Sequence, residues 1–228
     1  MQRLVTVILF SLFTFSSLAA DTKLRVAVFN VSMEATNYIA KGEKASAAVL
    51  ATELASGANM QIKNIAEIIQ RAKPDIILLN EFDLLDEKSG VEAFKNNYLS
   101  VSQQGQTAID YAYHYVGSVN TGMPSPFDLN NDGKKSGYGN DAYGYGLYEG
   151  QYGMVLLSKY PIEIDAVRSL QYFKWRDMPN AQVPVSPDTN QAWYHAAEWA
   201  DFRLSSKSHW DIPVDVCLLY PSPSPRDA

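Results

Sequence analysis

Two apolar, β-branched runs in this chain end in polar residues. They are Leu24-Arg-Val-Ala-Val-Phe-Asn30 and Asp75-Ile-Ile-Leu-Leu-Asn-Glu81-Phe-Asp83. Near-continuous apolar runs of this length predict strands covered on both faces, here over 24–31 and 75–79. Residues 43–56, rich in Ala, Leu and Glu, predict a helix that Gly57 and Asn59 stop. Ile62, Ile65, Ala66, Ile68 and Ile69 recur at helical spacing and predict a second helix over 60–73, closed by Pro74. Strand, helices, strand predicts a crossover unit with neighbouring parallel strands. Asn30 and Glu81 then leave the same edge of one sheet, where ligands of open α/β sheets collect. Two oxygen-bearing side chains there form a candidate metal site. The competing reading is that they cap the next helix or face water.

Further along, the pattern predicts a short helix over 91–100 and a strand over 111–119. Residues 120–150 form a long loop dense in Gly, Asn, Asp and Tyr. Loops of that length are functional or mobile. Its tyrosines at 138, 143, 145, 148 and the adjacent 152 offer a stacking wall for a sugar or base. The favoured alternative is that their rings simply pack onto the domain. A buried strand is expected over 153–158, turned at Tyr160-Pro161, with the alternating run 162–170 pairing with it. A Pro-rich loop follows over 179–187, then strands over 197–204 and 206–216. There is no internal repeat.

The ends alter how much of the chain belongs to the fold. Arg3, an apolar run over 4–15 and Ser16-Ser-Leu-Ala-Ala20 read as a signal peptide cut after Ala19 or Ala20. That run is shorter than the ~20 residues of a membrane span. The expected location is therefore periplasmic or secreted, with no membrane span after cleavage. Residues 21–216 fit one domain. The single cysteine, Cys217, excludes an intramolecular disulfide. Net charge is −6, and no Lys/Arg cluster stands out. A duplex-gripping protein usually carries a basic face, so general nucleic-acid binding is disfavoured. Residues 217–228 carry Ser-Pro repeats that cannot continue a strand. They resemble translated sequencing-adapter read-through. Native sequence is expected to stop near Val216, leaving the N-terminal portion of a longer protein.

Three segments in order resemble the endonuclease/exonuclease/phosphatase superfamily: Arg25-Val-Ala-Val-Phe-Asn30, Leu78-Leu-Asn-Glu81 and Gln151-Tyr-Gly-Met-Val-Leu-Leu-Ser-Lys-Tyr-Pro-Ile162. Ser205-Ser-Lys-Ser-His-Trp-Asp211 fits the same order. The likeness is closest to secreted bacterial, phytase-like members. It implies an α/β (α+β) fold, here a partial four-layer sandwich of two mixed β-sheets flanked by helices with the C-terminal part missing. It implies hydrolysis of phosphate esters with a divalent ion, usually Mg²⁺. Glu81 matches the family's metal-binding glutamate, and Asn30 the asparagine that supports it. Gln151 and Tyr152 border the family's cleft, and His209 falls at its edge or in the core. The family's catalytic histidine and Asp-x-Asn pair lie downstream of the segment that ends this chain. His114 and His195 read as structural or surface residues. The chain is therefore expected to be an inactive fragment of a hydrolase. Its substrate class stays open among nucleic acids, nucleotides, inositol phosphates and phospholipid head groups.

A second motif, Asp128-Leu-Asn130-Asn-Asp132-Gly133, matches the start of an EF-hand-type Ca²⁺ loop. Position twelve is Gly139 rather than Glu, and no convincing helices flank it. It reads either as another kind of calcium loop, closed by Asn140 or Asp141, or as an Asx-rich turn. The former supports an alternative function: a non-catalytic, calcium-binding extracellular module.

Overall fold

The computed structural model describes residues 23–85 and 89–216. The expected signal peptide and the 217–228 tail lie outside the described residues. The chain runs β1 (Val26–Met33), α1 (Ala47–Ser56), α2 (Met60–Ala72), β2 (Ile76–Phe82) and α3 (Ser89–Phe94), whose last turn widens into a π-helix over Lys95–Leu99. Then come β3 (Tyr113–Val116), β4 (Met154–Ser158), β5 (Arg168–Ser169), α4 (Ala196–Asp201) and β6 (Trp210–Asp211). The main sheet has the order β1-β2-β4-β3, and β5 and β6 form a second, two-stranded sheet. β1 and β2 are parallel, and β4 is antiparallel to both its neighbours. This is a mixed α/β fold, with helices flanking a mixed sheet and a smaller sheet beside it.

Local chemistry sets the crossover. Asn59 caps α2 by accepting the N–H groups of Gln61 and Ile62, and Lys73 ends it in the left-handed region. α1 starts later than the pattern predicts. Glu43 instead accepts the Ala40 N–H at 3.0 Å and closes a turn ahead of the helix. Alternate residues of the sheet then face the helices. Val31, Met33, Ile77, Leu79, Val155 and Leu157 share one core with Leu50, Leu54, Ile62, Ile69, Phe94 and Tyr98. Gln70, fully buried within it, donates to the carbonyls of Leu99 and Val101 and accepts the Gln103 N–H. That polar residue ties α2 to the segment after α3 with its hydrogen bonds satisfied.

The opposite face is thinly covered. Ile76, Leu156 and Ile162 form a smaller core there with Tyr115, Ile212 and Val214 packed against it. β1 is an edge strand, and Val26 and Val28 are 62% and 69% exposed. This corrects the expectation of a strand covered on both faces.

Other expectations also change. The run 162–170 does not pair with β4, because β2 and β3 already flank that strand. It makes a 3-10 turn at Ile164–Ala166 and then pairs with β6 as β5. Residues 197–204 start as a helix, not a strand, because His195 and Glu198 form a capping box. Only Trp210–Asp211 of the run 206–216 is a strand, with an isolated bridge from Val214 to Ile162. Pro213 between them has no N–H to extend the ladder. Among the described residues no helix is long and apolar enough to cross a membrane.

Candidate functional site

The parallel pairing puts Asn30 directly opposite Asn80, one residue before Glu81. Past that pair the register slips, and Met33 meets Phe82. Ser32 and Glu81 both take positive φ, at 49° and 58°. Non-glycine residues seldom adopt that region, and bulges of this sort re-aim side chains beside active sites. Leu79 and Phe82 both lie in the helix-side core. Asn80 and Glu81 therefore intervene between two inward residues, and the left-handed turn at Glu81 absorbs the break in alternation. Asn30 Oδ1 accepts the Ser32 N–H at 3.0 Å, so its amide orientation is fixed by the bulge itself.

Two residues past Glu81 lies a group that the sequence pattern does not single out. Asp83 is fully buried. It accepts the N–H groups of Ala35 and Tyr152, each at 2.9 Å, and the Tyr148 hydroxyl. Burial pushes its carboxyl up to about 6, against these hydrogen bonds. Glu34, also buried, accepts the N–H and hydroxyl of Thr36 and the Gln151 side-chain amide. Burial and the bond to Asp83 raise the Tyr148 phenol above its ordinary value. This network joins β1, the end of β2 and the entry to β4 beneath the strand ends. Asp83 was visible in the motif only as one more polar residue after the strand.

The other site residues separate into different places. Gln151 is fully buried; it donates to Glu34 at 3.0 Å and accepts the Leu147 N–H at 2.7 Å. It thereby braces the entry of β4 against Glu34 and the 120–150 loop. Tyr152 is half-buried at φ 57°, with the Tyr145 ring 6.4 Å away and the Lys207 ammonium 5.7 Å from its centroid. Lys207 donates to the Tyr152 carbonyl. His209 lines a different feature, an apolar groove of about 550 Å³ against the open sheet face, with Leu78, Met154, Leu156 and Trp210. The tyrosines divide between the two expectations: Tyr143 is buried, whereas Tyr138 and Tyr145 are exposed.

In the candidate calcium loop, Asp128 accepts the N–H groups of Asp132 and Gly133, and Asn130 donates to Asp132 at 3.2 Å. Asp132 Oδ1 accepts the Lys134 N–H. Asp141, which could close the loop, is turned instead onto Leu129 and Ser136, and Ser136's hydrogen bonds hold its carboxyl below the usual range against burial. The three oxygen-bearing residues come together, but each is engaged with its own backbone.

Among the described residues no group of three or more His, Cys, Asp or Glu side chains is placed to hold a metal ion. The candidate ligands Glu81 and Asn30 carry one carboxylate and one amide, both hard-oxygen groups. They suit Mg²⁺, which keeps several waters and takes few protein ligands.

A structure of an endonuclease/exonuclease/phosphatase family protein from Leptotrichia buccalis is similar at 15% identity and a TM-score of 0.30, covering 65% of this chain and 40% of that one. This chain thus spans less than half the length of that relative. No curated protein matches. The model of the Endonuclease/Exonuclease/phosphatase family matches residues 27–228. With nearly the whole chain matched, it belongs to the endonuclease/exonuclease/phosphatase family, a family of metal-dependent phosphoric-ester hydrolases.

Proposed function

We propose that this chain is the metal-holding portion of a secreted, Mg²⁺-dependent phosphoric-ester hydrolase, periplasmic or extracellular. Glu81 would bind the ion and Asn30 would support it. The observation that carries this is the register of Asn30 on Asn80, which puts Glu81 beside the Asn30 strand end. Bound there, the ion would polarise a phosphoryl oxygen and stabilise charge developing on the leaving oxygen. The chain's own part is positional. The Asp83 network holds the end of β2 against β1 and the start of β4. The bulge at Ser32 fixes Asn30. No residue here is assigned as the general base that hydrolysis also needs, so the 228-residue product is expected to be inactive by itself. Mn²⁺ binding followed by electron paramagnetic resonance tests the reading. Wild type should bind one ion, and Glu81→Gln should lose it while melting like wild type. Equal binding by both would sink it.

A second reading, a calcium-binding extracellular module, rests on one observation: Asp128, Asn130 and Asp132 come together in one loop, although Asp128 accepts the N–H groups of Asp132 and Gly133 as an Asx-rich turn would. Calorimetry with Ca²⁺ decides it: a binding heat lost in Asp128→Ala/Asp132→Ala supports the module, and no difference reduces the motif to a turn.

A further inference from the structure

Lys207 is held more tightly than a surface lysine. Its carbonyl accepts the N–H of Asn120 at 2.8 Å. Asn120 is itself fully buried and donates to the carbonyls of Gln171 and Ser205. The 120–150 loop crosses this segment so closely that a Cβ on Gly144 would lie 2.0 Å from the Ser206 carbonyl oxygen. The side chain runs half-buried along the Tyr152 ring, and its ammonium donates to the Tyr152 carbonyl. The Tyr152 N–H in turn is bound to Asp83, two residues past Glu81.

Lysine carries three donors, and one is spent on that carbonyl. Among the described residues no carboxylate comes within ion-pair distance of it; burial lowers its pKa below the ordinary lysine value, and Glu81 and Asp83, acting only through space, oppose that shift. The neighbouring cation is committed elsewhere. Arg203 lies between the Tyr143 and Tyr172 rings, 4.0 and 4.6 Å from their centroids, and donates to Asn120. Lys207 is thus a braced cation with one donor engaged among the described residues, bound to Tyr152 and felt through space by the candidate metal ligand Glu81. A divalent ion on Glu81 would take up that carboxylate's charge and leave Lys207 in need of an anion.

We propose that Lys207 is the phosphate-binding cation of the site, its ammonium taking a non-bridging oxygen of the ester whose phosphorus faces the ion at Glu81. This rests on the reading of Glu81 as the metal ligand. As a compact point charge on a phosphate oxygen, Lys207 positions any phosphate ester, whatever its leaving group.

The test uses the purified 228-residue chain with inorganic phosphate as the probe, titrated with and without Mn²⁺. Wild type should bind phosphate. Lys207→Met should weaken binding by about tenfold or more, the scale of a lost charge-assisted hydrogen bond. Lys207→Arg should retain most of it, and Mn²⁺ affinity should match wild type in both. Unchanged phosphate binding in Lys207→Met overturns the proposal. So does joint loss of phosphate and Mn²⁺, which would make Lys207 a structural brace only. The metal reading fails separately, if Mn²⁺ ignores Glu81→Gln; the metal-free titration then still decides Lys207. Should Lys207→Met not fold, the wild-type Lys207 amine resonance is followed during the titration, and no shift on adding phosphate overturns the assignment.

Discussion

The Asp83 carboxylate accepts the Tyr152 backbone N–H at 2.9 Å, joining the chain just past β2, two residues after Glu81, to the entry of β4. The same carboxylate holds Ala35, so one buried side chain fixes three segments of chain. Asp83→Ala should therefore be costly. It leaves two backbone N–H groups and the Tyr148 hydroxyl without their acceptor in a buried place. Each stranded donor costs roughly 1–3 kcal/mol, partly relieved where water enters. Urea unfolding should show a loss of about 3 kcal/mol or more. A loss below about 1 kcal/mol would mean that the network is not what holds the strand ends.

Much of this was legible in the sequence, for identifiable reasons. The two apolar runs and the Ile62–Ile65–Ile69 spacing specify β1, α2 and β2, because each buries a face whose period is fixed by its own geometry. The adjacency of Asn30 and the Glu81 segment follows from that crossover. What failed was pairing partners and short elements. Residues 162–170 alternate like a strand, yet alternation cannot say which strand they join. Ala196–Asp201 reads equally as strand or helix until the His195–Glu198 cap is seen. Asp83 and Lys207 stayed hidden because their roles come from contacts 65 and 55 residues away in sequence, at Tyr148 and Tyr152 respectively. No local pattern carries that information.

Acid should release a second anchor at the other end of the sheet. Asp75 accepts the Arg25 N–H at 2.8 Å and the Lys159 ammonium at 3.0 Å. The Arg25 hydrogen bond, with Lys159, holds its carboxyl below the usual range. A depressed folded-state value stabilises the fold above the unfolded value of about 3.9. That stabilisation disappears as pH falls through the folded value. Asp75→Asn should thus be less stable than wild type at about pH 7, and the gap should narrow towards about pH 2. Urea midpoints taken across that range check it; a gap that stays constant would show that ionisation of Asp75 is irrelevant.

Gly144 tests whether the 120–150 loop is a docked part of the domain. Its φ is not in the left-handed region, so strain is not at issue; space is. An added Cβ would sit 2.0 Å from the Ser206 oxygen, a backbone atom that cannot swing away. Gly144→Ala should push the loop off the 205–207 segment and speed limited proteolysis within 120–150. Gly133→Ala is the control for a loop position with nothing within 4 Å, where only the backbone penalty at φ 83° applies. If Gly144→Ala is cleaved no faster than wild type, the docking is not tight.

The open side of β1 should make this chain associate with itself. β1 is one of the two edges of the sheet, so one row of its backbone donors and acceptors lacks a neighbouring strand among the described residues. Val26 and Val28 stand exposed on the face shared with the apolar groove along Leu78 and Leu156. An unpaired edge beside exposed apolar side chains is a template for pairing with another chain. Natural edge strands resist this with charge, and lysine there adds repulsion without entering the core. Light scattering of the wild-type chain should rise with concentration, and Val26→Lys/Val28→Lys should suppress the rise. Because both positions are more than half exposed, the double variant should melt within a degree or two of wild type, surface changes being worth about 0.5 kcal/mol or less each. A wild-type chain that stays monomeric at high concentration would show that the β1 edge is protected, and the prediction would fail.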